Sequence, residues 1–415
     1  MKARLTTFVR TLREGYGWVS VGMIARAGLQ ALLVVLLART LGPTEYGLVV
    51  AITSVTGVFA LFTGIGANAL HLRELSLERA EPRHSFAIAV RRNLYTFVPL
   101  MMMAVASVWL LYGSQTDATT AILLVGADLV GVSASDLMQR NLQGQRRYGG
   151  MAVYMCLLPA TRVAAVALMM LLGQPPGIHG WSVIAIASAM LPALTVAWRA
   201  RHKTAVTGHD GFQWREGLGF ALAAGSTRVH ADADKAVVAK LSSLGDAAQY
   251  SLAYRLFDVL MLPILSFIEW RMPSLFHSGG SHRGIELIRS NKTFIAAIGG
   301  GAVLMAGLSI PFALLLPLVL GSGYDQVVTM AHWLALLPLT SALWWIFRTL
   351  LSTSGEQTMS GSIELGGAIF NVVATLAMVA GMGWKGAVIA TYTTHACMSL
   401  AALWHLSRGR NKDTA

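Results

Sequence analysis

The chain has 415 residues, 55% of them hydrophobic and 13% charged, with a formal net charge of +12. One soluble core stops growing near about 250–300 residues, and a mean hydropathy of +0.58 is more apolar than such a core could hide. A water-soluble enzyme is excluded, and the charge calls for a source other than nucleic-acid binding.

Apolar runs of about 20 residues, each long enough to cross a bilayer, recur along the whole chain. The predicted spans are 17–38, 46–66, 93–112, 118–138, 149–172, 178–198, 216–239, 250–270, 293–316, 327–347, 358–382 and 386–407. Spans 118–138 and 216–239 are the least apolar of the twelve. The first run follows basic residues, as in a signal sequence. It is too long for one and no small-x-small site follows, so it is expected to stay as the first helix.

The first and seventh spans end alike. "LARTLGPTEYG" (37–47) and "VAKLSSLGDAAQY" (238–250) both run from a basic residue to Leu-Gly, then turn, and close on a tyrosine. Arg26, Arg39, Gly42 and Tyr46 recur as Arg228, Lys240, Gly245 and Tyr250. With six spans on each side, this predicts two parallel repeats related by an axis along the membrane normal. The lobes are 1–198 and 216–415, joined by the polar linker "RARHKTAVTGHDGFQWR" at 199–215.

With the N-terminus placed in the cytoplasm, 24 of the 32 Lys and Arg fall on the cytoplasmic side. Only Arg39, Lys240 and Lys385 fall outside, so both termini are expected inside. This bias accounts for most of the net charge without a nucleic acid. Outside loops such as "GSQTD" and "GMGWKG" are short. "SHRGIELIRSNK", beginning at Ser281, reads either as an amphipathic surface helix with Ile285 and Ile288 on one face, or as a connector. Cys156 and Cys397 lie within spans, which argues against a disulfide framework.

Ionisable residues inside spans are costly and mark partners or water-filled cavities. Arg26, Arg228 and Lys235, with Arg162 and Arg255, are candidates for a cationic cavity that holds an anion. Arg26 has no opposite charge within reach on its own helix, whereas Arg228 could pair with Asp232 and Arg255 with Asp258. Span seven reads "RVHADADK", placing Arg228, Asp232 and Lys235 on one stripe and His230 with Asp234 on the other side. Asp128, Asp136, Asp232, Asp234 and Glu364 are candidates for coupling to a proton or sodium gradient, or for neutralising the arginines. His332 and His395 stand alone, without metal-ligand spacing. No Walker A loop, catalytic set or cofactor site is read from the sequence.

"LLARTLGPTEYGLVVAITSVTG", "QRNLQGQRRYGGMA" and "ADADKAVVAKLSSLGDAAQYSLAYRL" resemble the polysaccharide biosynthesis transporters. These are the bacterial O-antigen and exopolysaccharide flippases of the multidrug/oligosaccharidyl-lipid/polysaccharide (MOP) exporter superfamily. The resemblance implies an all-α, MATE-like membrane protein of two six-helix lobes in the bacterial inner membrane, working by alternating access. Its implied partner is an undecaprenyl-pyrophosphate-linked oligosaccharide, with Arg26 and Arg228 facing the pyrophosphate, alongside other polysaccharide-assembly proteins. The chain is short for the family, mostly in its loops. An ion-coupled drug or metabolite exporter of the same superfamily is the alternative. A membrane enzyme of polysaccharide assembly fits less well. There is no large periplasmic loop, and the one Asp-x-Asp, Asp232-Ala-Asp234, lies inside a span.

Overall fold

The computed structural model describes residues 17–78, 81–201, 214–279 and 285–408, and these are helical apart from short turns, without a strand. In order the helices are α1 (Gly17–Phe62), α2 (Ala67–Ser76), α3 (Pro82–Tyr112), α4 (Ala118–Gly144), α5 (Tyr148–Leu171) and α6 (Ile178–Ala200). Then come α7 (Trp214–Leu241), α8 (Leu244–Leu260), α9 (Leu262–Gly279), α10 (Ile285–Ser290) and α11 (Lys292–Ala313). The last are α12 (Leu316–Leu320), α13 (Val327–Trp333), α14 (Leu337–Thr353), α15 (Gln357–Met382) and α16 (Trp384–Arg408).

Among the described residues, eight helices are long and apolar enough to cross a membrane, or ten if each of two bent pairs is one span. The difference from twelve has two causes. The first two predicted spans are merged in the 46-residue α1, and span seven, as α7, is too charged for an apolar criterion. The bent pairs α8–α9 and α13–α14 coincide with the spans predicted at 250–270 and 327–347. Side chains such as Leu110, Leu171, Leu318 and Ile24 are exposed, as a lipid-facing surface requires.

The repeated junction is built in two ways. At "TLGPTEY" helix continues on both sides of Gly42, whose φ of 70° and ψ of 176° break it, and Pro43 follows where a first-turn N–H is dispensable. No polar turn intervenes, in contrast to the sequence expectation. At the second junction Ser242 and Ser243 separate α7 from α8, and Ser243 caps α8 by accepting from the Asp246 amide.

Two compact units divide at Arg228–Val229, within α7. Residues 202–213 of the polar linker lie outside the described residues, as does Ser281. The start of α7 packs within the N-terminal unit. Arg73 pairs with Glu216 at 2.8 Å, Arg92 stands 4.1 Å over the Trp214 ring, and Gly217 packs against the backbone around Ile65 and Gly66.

In the N-terminal unit α4 packs on α6 and α1 on α5. Small residues permit these approaches: Gly131 meets Ala189, and Gly22 meets Ala152. Leu70, Phe86, Leu137, Met138 and Leu142 form a core under α2 and α3. In the C-terminal unit α16 packs on α14 and α15, with Gly367 giving room to Met398. Its core holds Ile264, Phe294, Trp344, Phe347 and Leu350. Leu287 of α10 is buried and Ile288 packs against that core, so this segment acts as a connector docked on protein.

Candidate functional site

Asp128, on α4, is the centre of the charged interior of the N-terminal unit. It accepts a 2.7 Å hydrogen bond from Thr56 Oγ1 on α1 and lies within the fields of both Arg162 and Arg228. Arg162, on α5, donates from Nε to Ser188 Oγ at 3.1 Å and stands 5.7 Å over the Trp181 ring, both on α6. Arg228, on α7, lies against Gly57, one residue along α1 from the Thr56 that binds Asp128. Five helices therefore deliver two guanidinium groups to the surroundings of one carboxylate.

Arg26 lies on the first half of α1, four residues beyond the buried Gly22, apart from the contacts around Asp128. It is exposed and makes no hydrogen bond or ion pair among the described residues. Two guanidinium groups beside one carboxylate leave a surplus positive charge, and the guanidinium fork is suited to an anion with several oxygens.

The other predicted cations are placed differently. Lys235 is buried in the C-terminal unit, where its ammonium donates to Asp232 at 2.8 Å and to the Ala231 carbonyl. It lies 3.9 Å from Asp234 and 4.8 Å from the Tyr254 ring centre. Asp234 accepts from the Tyr250 hydroxyl at 2.7 Å, so the tyrosine closing the second junction is part of this network. The sequence stripe that separated Asp234 from Lys235 is overridden by the reach of the lysine side chain. Arg255 and Asp258 form an exposed pair at 3.3 Å. Asp136 holds Arg140 at 2.9 Å and accepts from Asn68, while Glu364 pairs with Arg348 at 3.4 Å.

The structure brings together Asp128, Arg162 and Arg228, and separately Asp232, Asp234 and Lys235. Sequence reasoning missed Thr56, Gly57, Ser188 and Trp181, which position the first group and carry no motif. It also left His395 alone. Its Nε2 lies 2.9 Å from Nε2 of His230, a contact across 165 positions that no local spacing announces. No group of three or more metal-ligating side chains occurs among the described residues.

This arrangement, with charged side chains among long helices whose outer surface is apolar, defines a multi-pass membrane protein. Residues 12–270 match the family described as polysaccharide biosynthesis protein, and the chain belongs to that family. No curated protein sequence matches it. Its fold is that of the MOP superfamily. An inward-facing multidrug resistance MATE family transporter of that superfamily superposes with a TM-score of 0.70 at 15% identity, over 96% of this chain and 100% of that one. The lipid II flippase MurJ, in an inward closed conformation, gives 0.71 at 13% identity over 93% and 87%. The MATE multidrug transporter DinF-BH gives 0.65 at 15% identity over 97% and 96%.

Proposed function

We propose that the chain is a flippase for lipid-linked oligosaccharide, moving an undecaprenyl-pyrophosphate-linked saccharide from the cytoplasmic to the periplasmic leaflet by alternating access. The product would serve O-antigen, capsule or exopolysaccharide synthesis in a bacterial inner membrane. The observation that carries this reading is the gathering of two guanidinium groups around Asp128, in a chain of the polysaccharide biosynthesis family. A pyrophosphate bearing sugars cannot cross roughly 30 Å of hydrocarbon unaided. Cations among the helices supply it with charge partners, while the polyprenyl tail stays in lipid. The lobes 1–198 and 216–415 would be the two moving repeats.

The test is transbilayer movement of a fluorescent undecaprenyl-pyrophosphate-linked saccharide in proteoliposomes, with protein quantified in parallel. Arg26→Ala and Arg228→Ala should each reduce movement strongly at normal protein level. Lys at either position should restore part of it, because it keeps charge but loses the bidentate fork. Glu should be worse than Ala. Unimpaired movement in both Ala variants would remove these arginines from the site. Movement of a cationic dye, with none of the lipid-linked sugar, would instead favour a drug exporter, in keeping with the fold shared with multidrug transporters.

A further inference from the structure

His230 on α7 and His395 on α16 face each other inside the C-terminal unit, ring centres 5.0 Å apart, with Nε2 to Nε2 at 2.9 Å. Such a contact needs one nitrogen protonated and the other bare. The neighbours decide which. Nδ1 of His395 lies 3.1 Å from Thr340 Oγ1, and that hydroxyl already donates to the Leu337 carbonyl. The threonine therefore accepts, His395 carries its proton on Nδ1, and its Nε2 is bare. His230 must then donate from Nε2, which leaves its own Nδ1 as an unprotonated lone pair. That atom is buried and has no hydrogen-bond partner among the described residues. The opposite tautomers would bury an N–H there without an acceptor, and orphaned N–H groups are the rarer kind.

We propose that His230 and His395 form a proton-binding pair inside the C-terminal unit, with Nδ1 of His230 as the atom that accepts the proton. A proton from water binds that lone pair and makes His230 an imidazolium. The proton on its Nε2 can then cross the 2.9 Å bond to Nε2 of His395. His230 is left neutral with its proton on Nδ1, His395 becomes the cation, and the charge of the pair rises by one. Imidazole is suited to this because one ring nitrogen can accept a proton while the other gives one up.

The surrounding charges set the character of the site. Lys235 on α7 is the cation whose field reaches His230, and it is itself balanced by Asp232 and Asp234. From α8, Tyr250 turns to Asp234 and Tyr254 to Thr391. Arg255 and Asp258, also on α8, form their own exposed pair. On α16 Tyr392 donates to the Trp333 carbonyl, and Arg348 of α14 pairs with Glu364 of α15. Among the described residues no carboxylate is hydrogen-bonded to either imidazole. A proton taken up here meets a like charge and no hydrogen-bonded counter-ion, so it is readily released again. That is the behaviour of a carrier rather than of a structural ion pair. As a coupling site the pair rests on the transport reading above; as a proton-binding site it does not.

Protein carrying ¹⁵N-histidine, in nanodiscs, is titrated downward from about pH 8 until the protein unfolds. The alkaline spectrum should show His230 bare at Nδ1 and His395 protonated there, and acidification should protonate His230 Nδ1. His230→Gln assigns the signals, and His395→Gln assigns them from the other side should the first fail to fold. A proton on His230 Nδ1 at alkaline pH, or no protonation of either ring while the protein stays folded, overturns the proposal. In proteoliposomes, a pH gradient should speed sugar-lipid movement by wild type, while His230→Gln moves it no faster with the gradient than without. Acceleration that persists in the variant overturns the coupling role. Absence of any movement by wild type fails the flippase reading, and the titration then decides on the proton site alone.

Discussion

Gly57 on α1 and Arg228 on α7 are matched in size. A Cβ on Gly57 would lie 3.0 Å from Arg228 Nε and 3.2 Å from its Nη2. The arginine lies against bare backbone, one residue from the Thr56 that binds Asp128. A single methyl could be absorbed by the flexible guanidinium, so Gly57→Ala should have a small effect. Gly57→Val should push the guanidinium away and, on the proposed function, reduce export as Arg228→Ala is expected to, with protein level unchanged. Normal surface polysaccharide from the Val variant, measured with the protein amount, would detach the position of Arg228 from transport.

The crossing of Gly66 and Gly217 is tighter. Gly66 has φ of 72°, and a Cβ there would collide with the Gly217 carbonyl; one on Gly217 would collide with the Ile65 carbonyl. Both obstacles are backbone and cannot rotate aside. Gly217→Ala should destabilise the protein by about 1–3 kcal/mol. Two residues on, Gly219 faces open space, and Ala there should be neutral or stabilising by up to about 1 kcal/mol. Equal Tm values for the two variants in detergent would contradict the packing of α7 on α2.

His71, on α2 outside the spans, is fully buried between Ser85 and Asn141, and burial holds its pKa down at about 4 from an ordinary 6.5. The folded protein thus keeps it neutral while the unfolded chain protonates it from 6.5 downward. Its contribution is complete above 6.5 and is lost as pH falls through the window between 6.5 and about 4. The loss should be roughly 3 kcal/mol at the acid end. His71→Gln, which cannot titrate, should flatten the dependence of Tm on pH in that window. An unchanged slope would assign the acid sensitivity elsewhere.

Topology can be read from single cysteines. Ser114, Gly177 and Gly323 lie in predicted outside loops, and a membrane-impermeant thiol reagent should label a cysteine at each from the outer side of the membrane. Labelling at 177 and 323 from opposite sides would remove the arrangement of two lobes in one orientation.

The long helices are legible in the sequence because each carries its own signal, a run of apolar residues bounded by polar or basic segments. Even α7 is marked by its length between the linker and the Ser-Ser break. The break at Gly42 is visible as a junction, but not that helix resumes at once, because Gly-Pro serves a turn and a helix start equally well. Individual charges are legible and their pairings are not. The helical stripe sets Lys235 against water, yet its long side chain reaches Asp232 and the Ala231 carbonyl within the same helix. The meeting of Asp128, Arg162 and Arg228, and that of His230 and His395, depends on how separate helices pack. A single sequence holds no record of that.

The break at Gly42 also bears on how the two halves of α1 are placed. Helix runs up to this residue and resumes directly after it, so the two halves of α1 share one 46-residue element with no slack between them. The place of the second half therefore follows from that of the first through a single backbone hinge. A segment inserted between Arg39 and Tyr46 would give each half its own freedom while leaving every charged side chain of the interior untouched.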